Sequence, residues 1–168
     1  MSPNLIEQLG SAKVYDLEQP RFAGMPIHPS HRPGYFYSLH RRHRDTYRPQ
    51  DDGPRTGASG VLTMMEHSRT HLDAAGVAKS GTLWAAGRGV VAVGADNMAW
   101  DVPGERDPDT GATLFAHAYL LPQKGVYIIE NLNLEELARD RRWEFAFVGV
   151  PLKFQGATGS PLRPLALV

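Results

Sequence analysis

The stretch from Glu66 to Gly76, EHSRTHLDAAG, places two imidazoles and a carboxylate at separations of four and two residues: His67, His71 and Asp73. Imidazole nitrogens with a carboxylate suit Zn2+, Mn2+ or Fe2+. The backbone decides how many of the three can meet. On a helix His67 and His71 share a face while Asp73, six positions from His67, points well away, giving two ligands. On an extended strand both separations are even, so all three project from one side, with Ser68, Thr70 and Leu72 on the other. By the same parity Arg69 shares the ligand face, and a guanidinium beside a cation is repelled unless the backbone turns it out or a carboxylate pairs it. On spacing alone, a polar strand end with hydrogen-bonded histidines remains the alternative to a metal site.

The elements that must carry these residues are short. VLTMM (61–65), GVVAVGA (89–95), GVYIIE (125–130), FAFVGV (145–150) and PLALV (164–168) are apolar, rich in Val and Ile, and bounded by turn residues, which predicts buried strands. AKVYDLEQP (12–20) predicts another short strand running into a loop. In NLNLEELARDRR, Asn133 as N-cap with Glu136 three residues on predicts a capping box at the start of a helix. RFAGMPIHPSHRPGY is too rich in Gly and Pro for a helix. SLHRRHRDTYRPQDDGPRTGASG is arginine-rich with acidic residues close behind, which predicts an exposed or subunit-contacting arm. These elements describe a β-rich α/β domain.

Composition narrows the chemistry. The 168 residues suit one domain with a sizeable core. Lys plus Arg and Asp plus Glu number 18 each, so no net field draws the chain to nucleic acid or an acidic membrane, and a small-molecule substrate is the expected partner. With no cysteine, any metal is held by His and carboxylates. MSPNLIEQLG lacks a basic region followed by an apolar core, so the expectation is a soluble, cytoplasmic protein.

The His-Asp stretch is similar to the signature H-x-G-T-H-x-D-x-P-x-H of the metal-dependent cyclase family, which includes bacterial kynurenine formamidases and isatin hydrolase. YDLEQPRFAGMPIHP, VGADNMAWD and the run from HAYLLPQKG to the end of the chain resemble segments of that family in the same order. The resemblance implies a swivelling β/β/α-type domain. It implies a divalent metal, Mn2+ or Zn2+, on His67, His71, Asp73, His117 and Glu130, with His71 and Glu130 in the catalytic machinery. The implied activity is hydrolysis of a formamide or cyclic amide. Glu130 also stands at the end of an apolar strand, where burying a carboxylate is costly unless a cation meets it.

Three departures separate the chain from the signature. Arg69 stands where the signature has glycine. Ala75 and Val77 replace its final Pro and His, and valine cannot shuttle a proton; His28, His31 and Glu66 are the substitutes that the neighbouring sequence offers. The family's long middle section is reduced to a few residues, an apparent internal deletion near 78–89. An uncovered sheet edge or core face there favours a homo-oligomer. Phe22, Phe36, Tyr37 and Trp84 are candidate pocket walls for a flat substrate, or else core or interface.

Overall fold

The computed structural model describes residues 4–49, 56–72, 79–102, 104 and 106–168. In chain order the elements are α1 (Leu5–Ser11), β1 (Val14–Asp16), a 3-10 turn (Pro29–His31), β2 (Phe36–Arg41), α2 (His43–Thr46), β3 (Ser59–Thr63) and β4 (His71–Leu72). There follow α3 (Lys79–Ala86), β5 (Ala92–Gly94), α4 (Phe115–Tyr119), a π-helical turn (Leu120–Lys124), β6 (Tyr127–Glu130), α5 (Glu135–Arg139), β7 (Ala146–Val148), β8 (Ser160–Pro161) and β9 (Leu165–Leu167). The chain divides into two compact units, Met1–Pro20 with Arg69–Val168, and Arg21–Ser68.

The larger unit holds two sheets. One has the order β5-β6-β4-β8, with β5 parallel to β6 and the other pairs antiparallel. The other has the order β1-β9-β7 and is antiparallel throughout. Two apolar clusters hold them. Tyr15, Leu17, Ile129, Leu132, Leu137, Leu162 and Ala166 form one, joining β1, β6, α5 and β9. Trp100, Ala116, Leu120, Val126 and Ile128 form the other, beneath α4 and the π-helical turn. Ile128 and Ile129 alternate in β6, so each enters a different cluster. Fully burying side chains of this size contributes about 1.5–3 kcal/mol each. The π-helical turn ends at Gly125, whose φ of 63° is the left-handed conformation glycine adopts at least cost, and its N–H reaches the carbonyls of Leu120 and Leu121.

The smaller unit is built on the antiparallel ribbon β2–β3, in register from Phe36↔Thr63 to Leu39↔Gly60. The polar stretch expected to be an arm is thus in part a strand, β2, and a helical turn, α2, exposed as expected; residues 50–55 of it lie outside the described residues. Both strands of the ribbon are exposed throughout. This corrects the expectation that 61–65 is buried: among the described residues β3 pairs only with β2. β7 is exposed for a related reason, being the edge of its sheet.

The helix at 133–142 also departs from expectation. It begins at Glu135 with Leu134 as N-cap and no side-chain cap. The backbone N–H of Asn133 donates instead to Leu17 O at 2.9 Å, tying it to the end of β1, and Glu136 pairs with Arg139 at 3.3 Å. A capping box does exist at α1, where Asn4 and Glu7 bond each other's backbone N–H at 3.0 and 2.9 Å. No described helix is long and apolar enough to cross a membrane.

Candidate metal centre

β4 lies between β6 and β8, and its register sets His71 directly opposite Glu130, with Leu72 opposite Ile129. Directly opposed residues share a face at about 4.5–5.5 Å between Cβ atoms. That placement brings His71 Nε2 to 3.2 Å from Glu130 Oε2, with side chains only 2% and 5% exposed. His71 Nδ1 lies 2.5 Å from the carbonyl oxygen of Arg69. A carbonyl only accepts, so Nδ1 carries the hydrogen and donates it. Nε2 then meets the carboxylate in a nearly dry setting, where a positive charge between them, a proton or a metal cation, is what favours the approach. Two atoms each about 2.1 Å from one cation lie roughly 3 Å apart, so the pair fits as two metal ligands.

The bend leading into His71 is fixed from both sides. Residues 66–70 are not extended, and Arg69 has φ of 56°. His67, Arg69 and His71 therefore do not lie along one side of a strand, because residues 66–70 bend and the described part of β4 begins at His71. The left-handed φ accounts for glycine at this position of the signature, since glycine reaches that conformation freely, whereas arginine is strained there. Thr70, fully buried, locks the bend, its hydroxyl donating to Asn131 O and accepting from Gln19 N–H, both at 2.7 Å. The amide of Asn131 donates to Arg69 O at 3.4 Å, and Leu162 N–H donates to Thr70 O at 3.1 Å.

His117 lies on α4 and is held by a group that the sequence did not single out. Asp101, 5% exposed, accepts the N–H groups of Ala116 at 2.6 Å and His117 at 3.2 Å, and faces His117 Nδ1 at 2.5 Å. Thus one buried carboxylate both caps α4 and grips the ring. Its only sequence signal is its place at the end of VGADNMAWD, sixteen residues before His117.

His67 belongs to the smaller unit, where its Nε2 is 3.3 Å from Glu66 Oε1 and its ring centroid 5.2 Å from that of His31, which in turn is 5.6 Å from His28. The groups named as substitutes for the lost signature histidine thus cluster around His67. Asp73, Ala75 and Val77 lie outside the described residues. Among the described residues no three His, Asp or Glu side chains are grouped closely enough to hold a metal, so the structure brings together the pair His71–Glu130. Residues 79–86, within the stretch read as a deletion, form α3, where Thr82 accepts the indole N–H of buried Trp100 at 3.3 Å. Phe22, Phe36, Tyr37 and Trp84 are each about half exposed or more, so none is core; Trp84 carries the Arg88 guanidinium on its ring, 4.6 Å from the centroid.

The α/β fold is that of known cyclase structures. A crystal structure of a novel cyclase matches with a TM-score of 0.73 at 17% identity, over 97% of this chain and 91% of that one. A predicted metal-dependent hydrolase from Bacillus stearothermophilus matches at 0.63 and 17% identity, over 94% and 98%. Isatin hydrolase A from Ralstonia solanacearum matches at 0.63 and 14% identity, over 100% and 98%. At these identities the likeness establishes the fold. No family model and no curated protein sequence matches the chain.

Proposed function

We propose that this protein is a metal-dependent hydrolase that cleaves the C–N bond of a formamide or cyclic amide, with a substrate resembling N-formylkynurenine or isatin. The observation that carries the reading is the buried His71–Glu130 pair, 3.2 Å apart and set by strand register in a fold shared with metal-dependent hydrolases and isatin hydrolases. The signature implies His67, His71, Asp73, His117 and Glu130 as ligands; of these, the described residues bring His71 and Glu130 together. Mn2+ or Zn2+ is the expected ion, since the donors are imidazole and carboxylate. When bound, such an ion acidifies water and polarises a carbonyl. The protein's own residues prepare the site: Arg69 O and Asp101 fix the imidazoles through Nδ1, and Glu130 offers a carboxylate already stripped of bulk water. The leaving amine needs a proton, and His28, His31 and Glu66 are candidate donors by their place in the sequence alone. The chain would act as a homo-oligomer, with Phe36, Tyr37, Val61 and Leu62, all more than half exposed, as surface to cover.

A second reading is a metal-binding or structural protein without catalysis, favoured by Val77 at the position of the signature's proton-shuttling histidine. Two measurements separate them. Metal analysis after addition of Mn2+ or Zn2+ should find bound ion, and finding none would sink the hydrolase reading. Assays on N-formylkynurenine and isatin should show turnover that Glu130→Ala abolishes. A metal-loaded wild type as inactive as that variant would favour the second reading.

A further inference from the structure

We propose that Asp101 is a positioning residue that fixes His117 as its Nδ1–H tautomer and leaves Nε2 as the nitrogen the ring presents. The metal consequence of this inference rests on the ligand role given to His117 above; the tautomer itself does not.

Asp101 Oδ1 accepts Ala116 N–H at 2.6 Å, while Oδ2 lies 3.2 Å from His117 N and 2.5 Å from His117 Nδ1. Three donors surround one buried carboxylate, and an ionised carboxylate only accepts, so the ring nitrogen facing it must bear hydrogen. The carboxylate does not follow the ring. Its neighbour Trp100 is buried and bonded to Thr82 on α3, while α4 is fixed by the two backbone bonds, so both sides of the contact are anchored before the imidazole is placed. His117 keeps its side chain 27% exposed and within reach of a solute. A carboxylate behind a ligating histidine is a common way to set ring tautomer and orientation, and its loss weakens metal binding about 10–100-fold.

Asp101→Asn tests the role with little change in shape. If the asparagine oxygen keeps the cap on Ala116, its NH2 replaces Oδ2, gives up the bond from His117 N–H and faces His117 Nδ1, which must then accept. The ring proton moves to Nε2, and the nitrogen available to a metal is lost. The experiment is NMR of 15N-labelled imidazoles in the metal-free, full-length chain in mildly alkaline buffer, with a Zn2+ titration of wild type and variant. His117 should be the Nδ1–H tautomer in the wild type and the Nε2–H tautomer in Asp101→Asn, whose Zn2+ affinity should fall about 10–100-fold. An Nε2–H tautomer in the wild type overturns the proposal, and that measurement does not depend on how the variant folds. An unchanged tautomer in a folded variant whose asparagine oxygen remains on Ala116 N–H overturns it as well. A wild type with the Nδ1–H tautomer but no Zn2+ binding supports the role of Asp101 and refutes the metal reading, so the two failures are distinct.

Discussion

His71 and His117 are both gripped through Nδ1, by means that differ in range and in chemistry. His71 is held by a carbonyl two residues behind it, on a strand whose register delivers Glu130 opposite. His117 is held by a carboxylate sixteen residues away that also caps its helix. A carbonyl grip is built from backbone, so no side-chain change at Arg69 removes it. A carboxylate grip is removed by a single substitution. The chain thus secures one imidazole by folding and the other by one side chain.

The largest effect is expected at Glu130. Glu130→Gln keeps the volume and removes the charge, and Zn2+ or Mn2+ affinity by calorimetry should fall more than about a hundredfold, beyond the range typical of groups that merely support a ligand. The melting temperature of the metal-free protein should hold, because the glutamine NH2 can donate to a neutral His71 Nε2 and leaves no unpaired charge behind. Unchanged metal affinity would remove Glu130 from the site.

Next in size is the lock on the His71 bend. Thr70→Val is nearly isosteric and strands Gln19 N–H and Asn131 O, so denaturant unfolding should show a loss of about 2 kcal/mol. A loss no greater than that of an exposed Thr→Val change would mean that the two 2.7 Å bonds do not hold the bend.

Smaller still is the backbone itself. Arg69→Gly should stabilise the protein by about 0.5–1 kcal/mol in the same assay, since relief of the left-handed strain outweighs the greater freedom of glycine in the unfolded chain. It should leave the tautomer of His71 unchanged, because the grip is the residue's carbonyl. A destabilised Arg69→Gly would show that the arginine side chain, rather than its backbone, secures the bend.

The smallest effect lies away from both imidazoles, where Lys79 bridges from α3 to Asp107 at 2.7 Å and to Asp109. Its ammonium, with help from Thr110, holds the Asp107 carboxyl down to about 2 from the ordinary 3.8. A depressed carboxyl contributes stability that is complete above its unfolded value and is lost as pH falls through its folded one. The melting temperature should therefore decline between pH 3.8 and about 2, less steeply in Lys79→Met. Lys79 itself is raised above 10.5, so its share persists below that pH and is lost at higher pH.

What the sequence makes legible follows the same division between local and distant causes. GVYIIE declares a strand ending in a carboxylate, and β6 runs from Tyr127 to Glu130 with its last three residues buried. The ends of the other strands are less legible, and 89–95 shortens to Ala92–Gly94. Asn133 reads as an N-cap because its spacing to Glu136 is right, yet its backbone is claimed by Leu17, a partner that no local pattern reveals. The period of two across His67, Arg69 and His71 predicts one face, and the bends through 66–70, with a positive φ at Arg69, break it. Glycine in the signature at that position is the available clue to the turn. Asp101 is invisible for a related reason: only the packing of Trp100 against α3 brings it beneath α4.

The central claim is that His71 and Glu130 are ligands of one divalent cation. Its most direct test is a crystal of the full chain soaked in Mn2+, with anomalous scattering used to locate the ion. A peak is expected within about 2.0–2.3 Å of both His71 Nε2 and a Glu130 carboxylate oxygen. A peak that reaches neither residue, or a soaked crystal with no peak at this pair, would contradict it.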